Sequence, residues 1–204
     1  MEAAKKEQNI EDIPSSESVS PKQTPQTKGK NKGNNQMRNV KVEKLTINIG
    51  AGKDQGILKK GLKLIKNITG IEPVKTFTNK RIPTWGLRPG LPIGCKTTLR
   101  GKKATELIPN LLDGRSNTLH EGCFDENGSI SFGIKEYIDI KGAKYDPEIG
   151  IIGLQVCITL ERPGFRIKKR KVMRKKIPIK HKITKQDAME FMKSTYNVRI
   201  GEEE

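Results

Sequence analysis

Between Arg162 and Gln186 the chain places twelve Lys or Arg and no acid, about one cation for every two residues. They are Arg162, Arg166, Lys168, Lys169, Arg170, Lys171, Arg174, Lys175 and Lys176, followed by Lys180, Lys182 and Lys185. Cations at this density neutralise phosphates, although a solvated basic loop or a localisation signal would have the same composition. Pro163, Gly164 and Pro178 argue against one continuous helix. An irregular basic extension that orders on RNA is the simplest account.

A second stretch, NKRIPTWGLRPGLP from Asn79 to Pro92, combines three prolines and two glycines with Lys80, Arg81, Arg88 and the only tryptophan, Trp85. Loops of this length without secondary structure of their own are usually functional or disordered. Here the prolines restrain the backbone while Arg and Trp offer phosphate contact and a stacking surface. The alternative is that Trp85 folds back onto the core.

Catalytic and metal chemistry find less support. NIGAGK, residues 48–53, resembles a phosphate loop only loosely: Asp54 follows Lys53 where Ser or Thr is needed, and the four-residue spacer between glycines is missing. His120 and His181 lack cysteines or carboxylates at ligand spacing, so no metal is expected. Three cysteines lie far apart, which excludes CxxC-type zinc sites and fits a reducing cytoplasm. Cys95 and Cys157 read as small packing residues within strands. Asp139, Asp146 and Glu148 could form a carboxylate site, but YDPEIG reads better as a turn restrained by Pro147.

The elements that must hold these segments follow from periodicity. Leu45, Ile47 and Ile49 alternate with Lys44, Thr46 and Asn48, which predicts a half-buried strand; Val40 and Val42 have the other parity, so a bulge or a later start is expected. Asp54 to Thr69 predicts a helix with Ile57, Leu58, Gly61, Leu62, Leu64, Ile65 and Ile68 on one stripe, ended by Gly70. Strands are predicted over 74–78 and 93–99, then a helix over 102–112 that Pro109 should kink or shorten. Two more strands are predicted over 129–140 and 151–160. A closing helix, about 185–196, starts at Thr184 with Asp187 completing a capping-box variant, and buries Ala188, Phe191, Met192 and Tyr196. Mixed order without a βαβ repeat argues for a two-layer α+β domain, its mostly antiparallel sheet carrying helices on one face. The other face would present Thr46, Asn48, Lys96, Thr98 and Arg100, groups suited to the 2′-hydroxyls and phosphates of folded RNA, or simply a solvated surface.

Composition agrees with a polyanionic partner. Forty Lys and Arg against 23 Asp and Glu give a net charge of +17, and the sequence pI is about 9.8. No apolar run approaches a membrane span, and no secretory h-region follows Met1, so a soluble cytoplasmic protein is expected. Residues 1–36 carry six lysines against five acids with few apolar residues, and are expected to form a disordered tail. Residues 37–204 form one domain with a basic insert at 162–183. That domain carries +16, of which the acid-free stretch supplies twelve.

The segments LTINIGAG (45–52), TGIEP (69–73), LRPGLPIGCKTTLRG (87–101), FDENGSISFGI (124–134) and YDPEIGIIGLQVCITLERPGFR (145–166) closely resemble a family of large-subunit ribosomal proteins. It is numbered five in bacteria and archaea and eleven in eukaryotes, and it binds 5S rRNA. The resemblance covers about residues 38–198, with the motifs in family order. The ERPG segment, the basic insert and IKHKITKQDAMEFM resemble the archaeal and eukaryotic branch, archaeal more closely.

The resemblance implies an α+β domain in the central protuberance that helps attach 5S rRNA to the large-subunit rRNA beside neighbouring 5S-binding proteins. Family contacts to 5S rRNA match Asn48 and Thr98; the position of a bacterial Gln contact holds Ile71. The long loop corresponds to the element that reaches peptidyl-site tRNA, implying that role for Lys80, Arg81, Trp85 and Arg88. Lys144, Tyr145 and Asp146 lie in the segment that faces a small-subunit head protein, implying an intersubunit bridge. No cofactor, metal, membrane or small-molecule substrate is implied. The competing classes are an RNA-modifying enzyme with a basic arm and a scaffold that binds acidic proteins outside the ribosome.

Overall fold

The computed structural model describes residues 35–201, so all but the last two residues of the expected tail lie outside the described residues. The first strand, β1 (Lys41–Gly50), shows the predicted alternation: Leu45, Ile47 and Ile49 are buried, and Thr46 and Asn48 are half-exposed. Its pairing shifts between Val42 and Lys44, the expected bulge, which lets Val42 also pack against the core.

Helix α1 (Gln55–Thr69) is capped at its start by Asp54, whose Oδ1 accepts from the Gly56 N–H at 2.7 Å. Gly70 ends it in the left-handed region at φ 65°. Leu58, Gly61, Leu64 and Ile65 are its buried stripe, whereas Ile57, expected on that stripe, is exposed because it lies at the stripe's edge. A Cβ on Gly61 would come within 3.1 Å of Cys95 Sγ and 3.3 Å of Ile49 Cγ2, so the missing side chain is what lets α1 lie close to the sheet.

Strands β2 (Val74–Phe77) and β3 (Pro92–Leu99) follow, then α2 (Lys102–Asp113). Contrary to the expectation of shortening, α2 runs through Pro109 to Asp113. Pro109 has no N–H for the Thr105 carbonyl one turn back, but both residues lie on the exposed side, where water can take that bond.

Short β4 (Thr118–His120) leads to β5 (Ser129–Ile134), which ends well before the predicted residue 140. A single 3₁₀ turn at Tyr137–Asp139 instead buries Tyr137, whose hydroxyl accepts from the Asp146 N–H at 2.9 Å. β6 (Leu154–Glu161) starts later than expected: Ile151 is exposed and Ile152 half-buried, both ahead of the strand. Within β6, Cys157 is exposed on the opposite parity from Val156 and Ile158, which corrects its reading as a packing residue. Cys95 is buried, and burial pushes its thiol up to about 11.

The basic segment holds one short helical turn, α3 (Arg166–Lys169), before α4 (Lys185–Tyr196) closes the fold. Thr184 and Asp187 form the predicted capping box. Ala188 and Met192 are buried as expected; Phe191 and Tyr196 are half-buried and meet edge to face. A final β7 (Arg199–Gly201) pairs in parallel with β4.

Five strands make one antiparallel sheet in the order β2-β3-β1-β6-β5, with α1 packed on β3 and α2 on β1 across the same face. Replacing Gly61 by Val should overpack this interface and lower stability by about 1–3 kcal/mol, read as a reduced urea midpoint with unchanged slope; an unchanged midpoint would show that α1 does not need the close approach.

Candidate nucleic-acid interface

Pairing register lines up the sheet face away from the helices. Thr98, Thr46, Cys157 and Ser131 are consecutive partners across β3, β1, β6 and β5. Lys96, Asn48, Gln155 and Gly133 form the next row, with Val74 beside Lys96 at the β2 edge. All four predicted strand residues therefore share one surface, and Arg100 continues it one residue beyond β3. A Cβ added to Gly133 or Gly50 would meet nothing within 4 Å, so this face is open as well as polar. Asn48 Nδ2 donates to Gln155 Oε1 at 2.9 Å, which fixes the Asn48 amide and leaves its oxygen as an acceptor. Gln155, Ser131 and Val74 were not singled out from the sequence; strand parity in β6 was the signal available for Gln155.

The long loop is more regular than its composition suggested. Thr78 and Leu91 close its neck, with Thr78 N–H donating to the Leu91 carbonyl at 2.9 Å and Gly90 N–H to the Thr78 carbonyl at 2.8 Å. Inside that neck Ile82 and Leu87 exchange two hydrogen bonds of 3.0 Å around a 3₁₀ turn, Pro83–Trp85. Gly86 takes φ 67° to reverse the chain, and Leu87 is buried. Trp85 is 68% exposed at the tip, not folded onto the core. Lys80, Arg81 and Arg88 are exposed around it.

The basic insert has an internal frame. Arg162, its side chain only 11% exposed, pairs with Asp187 Oδ1 at 2.9 Å and donates to the Lys182 carbonyl at 3.2 Å. Burial pushes the Asp187 carboxyl up, but hydrogen bonds from the Thr184 N–H and hydroxyl, with the Arg162 charge, outweigh it and hold the carboxyl below its ordinary range. Lys169 reaches Glu43 at 2.6 Å and Glu161 at 3.0 Å, tying α3 to β1 and β6. Burial alone would lower its pKa; the two carboxylates raise it instead. Arg170 donates from Nε to the Met173 carbonyl at 2.9 Å. Arg166, Lys168, Lys171, Arg174, Lys175 and Lys176 are exposed. Thus three of the nine named cations make structural contacts, Arg162 and Lys169 to the rest of the domain and Arg170 within the insert, which no sequence count could distinguish.

At the far end of the sheet, Lys144 and Tyr145 are exposed, while Asp146 is turned inward. Its carboxylate pairs with Lys63 at 2.9 Å and accepts from the Glu148 N–H at 3.0 Å; Lys63 also meets Glu148. The Lys63 hydrogen bond, then that backbone bond, hold Asp146 below the usual carboxylate range. Ile71, at the position of the bacterial Gln, is half-buried against the core. Among the described residues no group of three or more His, Cys, Asp or Glu is arranged to hold a metal ion.

Comparison with known proteins gives two adjoining matches. The family described as ribosomal protein L5 matches residues 35–88, and the C-terminus of that same ribosomal family matches residues 92–191. The large ribosomal subunit protein uL5 of Sulfurisphaera tokodaii is 46% identical over 82% of this chain and 96% of its own length. That of Methanosphaera stadtmanae is 44% identical over 81% and 99%, and that of Sulfolobus acidocaldarius 45% over 84% and 96%.

The Asp187 carboxyl, with its lowered pKa, contributes stability that is complete above the ordinary Asp value of about 3.9 and is lost as pH falls through the folded value. Asp187→Asn should therefore lower the melting temperature at neutral pH, and the gap to the unsubstituted chain should close as pH drops below about 4. A gap that stays constant down to acid would show that the carboxylate charge is not what secures the insert.

Proposed function

The chain belongs to the ribosomal L5 family, and from that premise we propose that it is a non-catalytic constituent of the large ribosomal subunit in the cytoplasm, of archaeal type, that binds 5S rRNA. The observation that carries this reading is the open sheet face, on which Asn48 and Thr98 stand in adjacent rows of mostly polar residues. Asn48 Oδ1 accepts from a ribose 2′-hydroxyl, and the Thr98 hydroxyl can donate or accept. Thr46 stands opposite Thr98 and two residues before Asn48 on β1, and Lys96 and Arg100 neutralise phosphates beside the same face.

The exposed insert cations, Arg166 to Lys176, attach 5S rRNA to the large-subunit rRNA in the central protuberance, with Arg162 and Lys169 holding their frame. Neighbouring 5S-binding proteins share this site. Trp85, at the tip of a loop closed by its own hydrogen bonds, meets peptidyl-site tRNA, with Lys80, Arg81 and Arg88 at its phosphates. Lys144 and the 57% exposed Tyr145 reach a small-subunit head protein as part of an intersubunit bridge. Asp146 serves that bridge by fixing the loop through Lys63. No bond is made or broken in any of these roles.

Binding should be steeply salt-dependent, falling about a thousandfold between about 50 and about 200 mM salt if six or more phosphates are neutralised. A gel shift in which 5S rRNA binds no better than tRNA of similar length would overturn the reading. Asn48→Ala and Thr98→Ala should each weaken 5S rRNA binding by about 1–3 kcal/mol; unchanged affinity in both would remove the sheet face as the RNA site. Deleting residues 80–89 should spare 5S rRNA binding and impair tRNA retention on ribosomes, and loss of 5S rRNA binding instead would show that the two roles are divided wrongly.

A further inference from the structure

The basic insert encloses a groove of about 650 Å³ that phosphate contacts alone do not require. Its floor is apolar, formed by half-buried Phe165 and Ile177 and buried Ile183, with Ile179 exposed at its mouth. Its rim is cationic, formed by Lys168, Arg174, Lys175, Lys176 and Lys182, with no acid among the lining residues. Asn127 adds an amide at one side. Ile179 is 84% exposed, so its side chain is free to close over whatever enters the groove.

The groove is built on a fixed frame. Ile183 is buried against the β5 turn, where Gly128 at φ 75° leaves no room for a Cβ beneath it. Phe165 packs edge to face on His181, whose Nε2 lies 2.9 Å from the Pro163 carbonyl oxygen. The Lys175 N–H donates to the Ile167 carbonyl at 3.3 Å, closing the insert back on α3. Arg162 and Asp187 lock the return of the chain.

An apolar floor flanked by five cations fits one chemistry well: a flat apolar group carried on an anionic backbone. We propose that the groove receives a single nucleotide extruded from its helix in the RNA that the insert binds, the base lying on the isoleucine and phenylalanine floor and its flanking phosphates on the lysine and arginine rim. The Asn127 amide, one of whose hydrogens is given to Asp125 Oδ2 at 3.1 Å, keeps its oxygen and its second hydrogen for the base edge. This rests on the rRNA-binding reading and adds to it a site that recognises an unpaired base, separate from the sheet face.

The test titrates the full chain, at one salt concentration, against two RNA hairpins of identical stem, one fully paired and one with a single bulged 2-aminopurine. The bulged hairpin should bind roughly tenfold more tightly, with a change in 2-aminopurine fluorescence. Ile179→Ser, at an exposed position that the fold does not need, should abolish that preference while leaving affinity for the paired hairpin unchanged. Lys175→Gln should weaken both hairpins together. Equal affinity for the two hairpins, or a preference that survives Ile179→Ser, would overturn the proposal. Tighter binding of an acidic amphipathic peptide than of either hairpin would assign the groove to a protein partner and overturn it as well. Loss of all rRNA binding strikes the parent reading, whereas 5S rRNA binding that persists while the bulge is ignored strikes the groove alone.

Discussion

Burial of one side of β1 constrains nearly everything this molecule can present to a partner. Leu45, Ile47 and Ile49 must point at α1 and α2 to leave water, and the period of two then forces Thr46 and Asn48 to the other side. Because β1 is central, flanked by β3 and β6, its parity is transmitted by hydrogen-bonded register to Lys96 and Thr98 on one neighbour and Gln155 and Cys157 on the other. A slip of one residue would bury the whole polar set and expose the core. The same hydrophobic free energy that stabilises the domain therefore holds the polar face in place, and no separate device is needed to assemble it.

The extensions solve a different problem, since each buries only a residue or two, Leu87 in the loop and Ile183 in the insert, to fix its shape. The 79–92 loop is held by nested backbone pairs and by the burial of Leu87, so Trp85 can be exposed without being loose. The insert is held by charge: Arg162 on Asp187, Lys169 on Glu43 and Glu161. A segment carrying so many like charges repels itself. Placing acids at its two ends, in β1, β6 and α4, offsets part of that repulsion in the folded state and leaves the middle of the segment cationic.

Much of this was legible in the sequence, and the failures have physical causes. Alternation from Lys44 to Ile49 in β1, the capping residues of α1 and α4, and the Gly70 stop are local signals that tertiary structure did not override. Three-residue β4 and β7 are too short for any period to register, and their parallel pairing joins segments about eighty residues apart. The predicted strand over 129–140 overran because IKEYI keeps rough alternation, although the chain turns at Tyr137 to bury a ring that the sequence could not place. In the candidate site the polar face followed from parity. The split between structural and exposed cations did not, because Lys169 and Lys168 differ in their neighbours in space and not in their type.

The two kinds of surface also divide affinity from specificity. Uncharged hydrogen bonds of the kind Asn48, Thr98 and Gln155 can make contribute about 1 kcal/mol each after exchange with water. They are too weak to hold RNA alone, yet they discriminate sharply, since a mispaired donor or acceptor left without water costs more than the bond supplies. On the proposed reading, phosphate contacts from the insert would supply most of the association free energy through released counterions, but would carry little sequence information. Were the cations spread over the sheet face, their longer reach would tolerate many RNA geometries and the polar rows would select nothing. Concentrating most of them in an extension, and leaving the face open at Gly50 and Gly133, would let charge bring the RNA in while close backbone approach at the sheet decides whether it fits.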